Sequence, residues 1–375
     1  MPSPSRTPVI VALSGGVDSA VAACLLVDQG FDVAGLFMSN WEEDETGYCT
    51  SAEDFQDALR VADQLGIALH RVSFASAYRE RVFAHFLEEL RRGRTPNPDV
   101  LCNREIKFGV CYAHAQRLGA RYFATGHYAR VEQQGADHAL LRAVDADKDQ
   151  TYFLHAIDPA LLGNVLFPIG SMLKSEVRAF ARARALVVHD KRDSTGICFI
   201  GERPFADFLG RHLPARPGPI ESPEGELLGT HAGLMNYTLG QRQGLGVGGR
   251  RGANDQPWYV AGKDVARNAL IVVQGREHPR LFSAALETEG LHLLVDRESL
   301  PRRVQAQIRY RQRPLAAGLE MRADATALVT FDQAQRAVTP GQSVVLYSAG
   351  RCIGGAVIRT ALPVAEQSAA RRASG

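Results

Sequence analysis

VIVALSGGVDSA, residues 9–20, decides the fold. The β-branched run VIVAL breaks at Ser14, Gly15 and Gly16, and an apolar-periodic stretch, AVAACLLVDQG, follows at residues 20–30. A strand that turns at once into a helix aims backbone N–H groups and the positive end of the helix dipole at the turn, where an anion can sit. The strand end Ala12 and Leu13, the turn Ser14, Gly15 and Gly16, and the helix start Val17, Asp18 and Ser19 therefore frame a candidate anion site. Paired glycines also serve ordinary tight turns, but two hydroxyls and an aspartate in the same loop weigh against that use. The loop has neither the Gly-Lys-Ser/Thr ending of a Walker loop nor the GxGxxG spacing of a dinucleotide fold, so kinase, GTPase and simple dehydrogenase readings fall away.

The same alternation continues outward. DVAGLFM, ALHRVSF and RYFATGHY read as strands, separated by the helical patterns SAEDFQDALRVADQLG, YRERVFAHFLEELRRG and EIKFGVCYAHAQRLG. Strands and helices in this order predict βαβ units and a doubly wound parallel α/β sheet. Ligands of such sheets lie over the carboxyl ends of the strands, which draws Met38 and Gly126 into the candidate nucleotide site. SMLKSEVRAFARARA, from Ser171 to Ala185, reads as one more amphipathic helix. Beyond LPARPGPI the helical period vanishes, and short Gly-punctuated runs such as PWYVAGKD, ALIVVQG, SVVLYS and CIGGAVIR predict small β domains. The expected organisation is a catalytic domain over 1–212, a central β domain over 213–276, a C-terminal β-barrel over 277–362 and a disordered tail over 363–375.

At 375 residues, 45% hydrophobic and 22% charged, the chain has the composition of a multidomain globular protein. No apolar run reaches the roughly 20 residues of a membrane helix, and MPSPSRTP lacks the apolar core of a signal peptide, so a cytoplasmic location and no membrane partner are expected. Six cysteines without a CxxC pair form neither a disulfide framework nor a zinc site, so no metal ligands are assigned.

Two cysteines stand out. In TPNPDVLCN, residues 95–103, Pro96 and Pro98 enforce extended backbone and predict a rigid exposed loop that presents Asn97, Asp99 and Cys102. A carboxylate beside a thiol raises the thiol's pKa, so Asp99 suits acid–base work on a substrate better than activation of Cys102. Arg104 and Lys107 supply positive charge nearby. The second is Cys198, in the polar stretch KRDSTGICFIGER. A single loop cysteine is more often incidental than catalytic, whereas Cys24 and Cys111 lie in helical apolar patterns and read as core.

SGGVDS resembles the pyrophosphate loop of the ATP pyrophosphatases, which cleave ATP between its α and β phosphates and place AMP on a substrate oxygen. SGGVDS, LFMSNWEED, GRTPNPDVLCN, ATGHY, KDQTYFL, STGICFIGER, YTLGQRQGL and TPGQS occur in the order and spacing of the bacterial tRNA-specific 2-thiouridylases, over most of residues 9–360. On these motifs the chain is identified as a member of that family. Thr151 stands where KDQSYFL has serine, GGRRGANDQ departs from the relatives, and the residues after about 362 have no counterpart.

The resemblance implies ATP with Mg2+ as substrate, with Asp18 helping to place the metal, and tRNA as the second substrate. It implies that the C2 oxygen of the wobble uridine is adenylated and replaced by sulfur carried as a persulfide on Cys198. Cys102 would be the second catalytic cysteine, either releasing sulfide from the persulfide or resolving it after attack; either route ends in a Cys102–Cys198 disulfide that must be reduced, and Asp99 would be the acid–base residue. Asn97, Pro98 and Asp99 would hold a flipped-out base. His127, Lys148, Asp149, Gln150, Arg309, Tyr310 and Gln342 match tRNA-contacting positions, and the arginines of DRESLPRRVQAQIRYRQR, residues 296–313, suit phosphate contacts. The sulfur would come from a cysteine desulfurase or a sulfur relay protein. Read from residues without the resemblance, adenylation of a small substrate for amine attack and a non-catalytic tRNA-binding module stay open; neither needs two thiols.

Overall fold

The protein's structure is a computed structural model that describes residues 7–41, 51–193, 205–247 and 256–364. Cys198, and with it the persulfide expectation, lies outside the described residues. Strand β1 (Pro8–Ala12) is followed by α1 (Val17–Asp28), β2 (Asp32–Ser39), α2 (Ser51–Leu65) and β3 (Leu69–Ser73). Next come two helices, α3 over 75–91 and α4 over 98–117, each containing a wider π-type stretch, and then β4 (Tyr122–Thr125). A hairpin of β5 (Ala129–Gln134) and β6 (Asp137–Arg142), the short α5 (Thr151–Leu154), β7 (Val165–Leu166) and α6 (Lys174–Ala183) complete this part, and α7 (Phe205–Gly210) leads out of it.

The sheet is parallel, in the order β3-β2-β1-β4-β7. Successive side chains of a strand point to opposite faces. Accordingly Val9, Val11 and Leu13 enter the core beneath α1, α2 and α6, whereas Ile10 enters the core beneath α3 and α4. With both faces covered, the strands read as unbroken apolar runs. Helix α1 is buried along most of its length, which explains why AVAACLL is apolar all round; in α6 only Val177 and Ala181 are buried, as an amphipathic surface helix requires. The chain runs from β1 toward β2 on one side and β4 lies on the other, so the order reverses between β1 and β4, and the crevice there opens at the carboxyl ends of both.

The stretch TPNPDVLCN corrects the sequence reading. Pro98 is the first residue of α4, a position whose N–H has no helical partner in any case, and Asn97 is the N-cap, its side chain accepting from the Asp99 amide at 3.1 Å. Cys102 is therefore on a helix and buried at 3% exposure, not presented by an exposed loop.

A four-stranded sheet follows, ordered β10-β11-β8-β9 from β8 (Gly218–Glu221), β9 (Leu227–His231), β10 (Trp258–Asp264) and β11 (Ala269–Gln274). The C-terminal strands are β12 (Phe282–Thr288), β13 (His292–Leu293), β14 (Arg303–Gln307), β15 (Leu315–Met321), β16 (Ala327–Arg336), β17 (Ser343–Ser348) and β18 (Arg351–Pro363). Antiparallel pairing runs β12–β16–β15–β14–β17–β18 and back to β12, a closed six-stranded barrel filled by Leu286, Val304, Ala306, Leu319, Val329 and Ile358. The β5–β6 hairpin joins this barrel through the pairing of Arg351 with Leu141. No helix among the described residues is long and apolar enough to cross a membrane.

Candidate active site

The phosphate loop is built by close approach. Gly15 has φ +75°, and a Cβ there would lie 2.2 Å from the Asp54 carbonyl oxygen on α2. At Gly126, on the far wall of the crevice, a Cβ would lie 2.6 Å from the Ser19 nitrogen. Both glycines let backbone pack where any side chain would intrude. Gly16 is the N-cap of α1 and, having no side chain, makes no cap bond to the first-turn amides. Ser19 Oγ accepts from the Ser14 amide at 3.2 Å, donates to Gly16 O at 3.0 Å and lies 3.1 Å from Ser14 Oγ, which sets both hydroxyls in the loop. Met38, next to last in β2, is half-buried against the core.

Asp18 does not stand alone. Its carboxylate accepts from Lys174 Nζ at 2.7 and 2.9 Å and from the Tyr128 hydroxyl at 3.0 Å. The same ammonium lies 2.8 Å from Asp193, which also pairs with Lys148 at 2.9 Å and Arg178 at 2.8 Å. Burial pushes the Asp193 carboxyl up, but the Lys174 and Lys148 ammonium groups outweigh it and hold the pKa at about 2. Burial and then Asp18 push the Tyr128 phenol up, so it stays a donor. A cation between two carboxylates at the edge of a phosphate loop shows that the donor set there suits positive charge.

The second arm is the start of α4. Burial raises the Asp99 carboxyl above its ordinary value, and Lys107 opposes that in part. Asn40 Nδ2 approaches Cys102 Sγ at 3.9 Å, while Asn40 Oδ1 and Ser39 Oγ are buried with no hydrogen-bond partner among the described residues. Lys107 Nζ reaches His127 Nε2 at 3.4 Å, and His127 Nδ1 lies 2.7 Å from Thr125 Oγ1. Burial, then Lys107, drives the His127 pKa well below 6.5, so the ring is neutral. Cys111, one turn past Lys107, is pushed by burial up to about 12 and is inert core, as is the buried Cys24.

The remaining expected contacts fall into place with less freedom than the sequence suggested. His127 is only 8% exposed, between Phe108 and Phe167. Asp149 is 6% exposed, and its carboxylate accepts from Arg142, Thr151 and the Ala143 amide. Gln150 accepts from the Tyr128 amide, and Lys148 holds Asp193. Gln342 donates to Thr95 O at 2.8 Å, just before Pro96, Asn97 and Pro98, and Pro340 O accepts from the Thr95 amide at 3.0 Å. Tyr310 packs on Phe153 with ring centroids 4.5 Å apart, and Arg309 donates to Ala337 O at 2.7 Å. The arginines of residues 296–313 do not form one free stripe: Arg309 points inward, and of the exposed five Arg303 pairs with Asp332 and Arg297 donates to Arg322 O, while Arg302, Arg311 and Arg313 complete the set.

Sequence reasoning missed Lys174, Tyr128, Asp193 and Asn40. Lys174 carried one legible signal: a lysine in the first turn of a helix opposes the helix dipole, so a tertiary partner should be sought for it.

Three family profiles cover nearly all of the chain: one described as a tRNA methyl transferase HUP domain over residues 7–202, a tRNA methyl transferase PRC-barrel domain over 206–274, and an aminomethyltransferase beta-barrel domain over 283–358. The chain is 54% identical over 354 residues to the tRNA-specific 2-thiouridylase MnmA of Chromohalobacter salexigens, covering 94% of this chain and 92% of that one. It is 55% identical over 358 residues to the protein of the same name from Alcanivorax borkumensis, covering 95% and 98%. Among solved structures, the U34-tRNA thiolase NcsA of Methanococcus maripaludis has 18% identity and a TM-score of 0.35 over 56% of this chain and 67% of its own, too slight a likeness to add to these.

Proposed function

The chain belongs to the tRNA-specific 2-thiouridylase family, and we propose that it performs that chemistry in the crevice between β1 and β4, with the residues named above in the following roles. The observation that carries the proposal is the meeting of a phosphate loop with an acid–base and thiol arm. Gly126 packs on Ser19, and its neighbour His127 contacts Lys107 of the helix that bears Asp99 and Cys102.

A uracil C2 oxygen is a poor leaving group, and adenylation turns it into a good one. The loop amides, Ser14 and Ser19 hold the triphosphate of ATP with Met38 and Gly126 flanking the nucleotide. Asp18 and Asp193 are the carboxylates placed to hold Mg2+, with Lys174 now occupying the cation position between them. The metal, when bound, supplies neutralisation of the pyrophosphate that leaves. Asn97, Pro98 and Asp99 hold the extruded uracil. Asp99, its pKa raised, takes the N3 proton as O2 attacks the α-phosphorus; the α–β phosphoanhydride P–O bond breaks and pyrophosphate departs with the electron pair.

The terminal sulfur of a Cys198 persulfide then bonds to C2, and AMP leaves with the C2–O bonding pair. Attack of the Cys102 thiolate on the Cys198 sulfur forms a Cys102–Cys198 disulfide and releases the 2-thiolate of the base; an external thiol reductant returns both cysteines. Asn40 Nδ2 donates toward Cys102 Sγ. tRNA approaches over the side where the barrel meets this crevice, with Arg309, Tyr310, Gln342, Lys148, Asp149, Gln150 and His127 shaping the contact. The persulfide comes from a desulfurase or relay protein.

The test is reconstitution. The protein, ATP, Mg2+, a persulfide donor and unmodified tRNA are incubated and the RNA is digested to nucleosides. 2-Thiouridine is expected in proportion to AMP released; tRNA-independent AMP release with an amine acceptor would support small-substrate adenylation instead.

A further inference from the structure

Among the described residues Lys107 is the one lysine at this site that forms no ion pair with a carboxylate. Lys174 is bound to Asp18 and Asp193, Lys148 to Asp193, and Lys191 to Asp54 and Asp57. Among the described residues Lys107 has a single side-chain partner, His127 Nε2 at 3.4 Å. An ammonium can only donate, so Nε2 accepts, which puts the ring proton on Nδ1 for donation to Thr125 Oγ1 at 2.7 Å. His127 is thereby a neutral acceptor, walled by Phe108 and Phe167, that steadies the ammonium without cancelling its charge.

The position of that charge is fixed from two sides. His127 follows Gly126, whose backbone packs on the first turn of α1 at Ser19. On the other side, Lys107 is two turns beyond Asp99 on α4 and acts on its carboxylate. A half-buried ammonium that forms no ion pair among the described residues, and feels Asp99 only at longer range, gains free energy from an anion that arrives to meet it. Between the phosphate loop and the base-holding residues, the atom that must lie there during the first half-reaction is the α-phosphorus of ATP.

We propose that Lys107 is a catalytic residue of the adenylation step, donating to the non-bridging oxygens of the α-phosphate as uridine O2 attacks, with His127 as its positioning residue. The proposal rests on the 2-thiouridylase reading above. O2 forms the new O–P bond, the bond from the α-phosphorus to the bridging oxygen breaks with its pair going to pyrophosphate, and the N3 proton passes to Asp99. Lys107 keeps its proton throughout; its contribution is a fixed charge where negative charge develops.

The test is single-turnover pyrophosphate release by the full chain with ATP, Mg2+ and unmodified tRNA, and no sulfur donor. Lys107→Met should slow release by about 100-fold or more, the scale of losing one preorganised donor, with KM for ATP little changed. Lys107→Arg should recover part of the rate. The pH dependence of Cys102 alkylation, followed by peptide mass, should stay unchanged in both. Wild-type release by a folded Lys107→Met would overturn the proposal. So would normal adenylation with an upward shift of the Cys102 profile, which would assign the charge to the thiolate. If Lys107→Met does not fold, Lys107→Gln and Lys107→Arg carry the same comparison. Absence of pyrophosphate release by the unaltered enzyme would instead strike the family's reaction for this chain, and the role of Lys107 with it.

Discussion

Gly15 shows how narrowly a single position can be set. Its φ of +75° and the 2.2 Å separation from Asp54 O each exclude a side chain. Gly15→Ala should cost about 1–2 kcal/mol from the left-handed backbone, and more because α2 must withdraw; denaturant unfolding should show that loss together with loss of ATP binding. Asp99 is set by burial instead. If its carboxylate takes the N3 proton, the rate must fall as pH drops through its folded pKa, and because burial raises that pKa, the acid limb should lie above the ordinary value of 3.8. Single-turnover pyrophosphate release against pH measures the limb. A limb at the ordinary carboxylate value would contradict the role, and Asp99→Asn should abolish the limb and reduce the rate about 10²–10⁴-fold.

At the scale of the element, α4 carries the site, and its first turn decides where Asp99 and Cys102 point. Asn97→Ala removes the side-chain cap of that turn, which should cost about 1 kcal/mol of stability. The rate should fall by more than that stability loss accounts for, since the cap also aims Asp99; comparing unfolding midpoints with single-turnover rates separates the two. This element was also where the sequence misled. Two prolines within three residues look like helix breakers, yet one precedes the cap and the other fills the first helical position. The phosphate loop was legible because its chemistry is contiguous, with hydroxyls, glycines and dipole all within Ser14–Ser19. The Asp18–Lys174 pair was not, because its partners are 156 residues apart and only the fold joins them. Nor was the β5–β6 hairpin, whose outer strand ends in exposed glutamines and is fixed by a barrel strand far along the chain.

Over the whole molecule, the site is assembled from both ends of the chain. Gly341, with φ +92°, lets the β16–β17 connection approach Thr95 so closely that a Cβ would lie 2.9 Å from its nitrogen, and Gln342 beside it reaches across 247 residues to Thr95 O. Arg94 bridges Glu89 of α3 and Glu289, just after β12 of the barrel. The backbone that presents Asn97 and Asp99 is thus held by the barrel through Thr95 and Arg94, so under the proposed function RNA on the barrel and the residues proposed to hold the base would share one support. This coupling explains why expected RNA contacts such as Gln342 and Arg309 also serve as internal struts. The parallel sheet and the β character of the C-terminal half were legible from strand spacing; their junction was not, because its partners, Gln342 with Thr95 O and Arg94 with Glu289, are far apart in the chain and only the fold joins them.

The central claim is that one chain both adenylates the uridine and delivers the sulfur, in separable steps. The direct test replaces Cys198 with serine and measures tRNA-dependent pyrophosphate release and 2-thiouridine in the same reaction, with a persulfide donor present. The account predicts that Cys198→Ser retains pyrophosphate release near the wild-type single-turnover rate and forms no 2-thiouridine. Wild-type levels of 2-thiouridine from Cys198→Ser would contradict it.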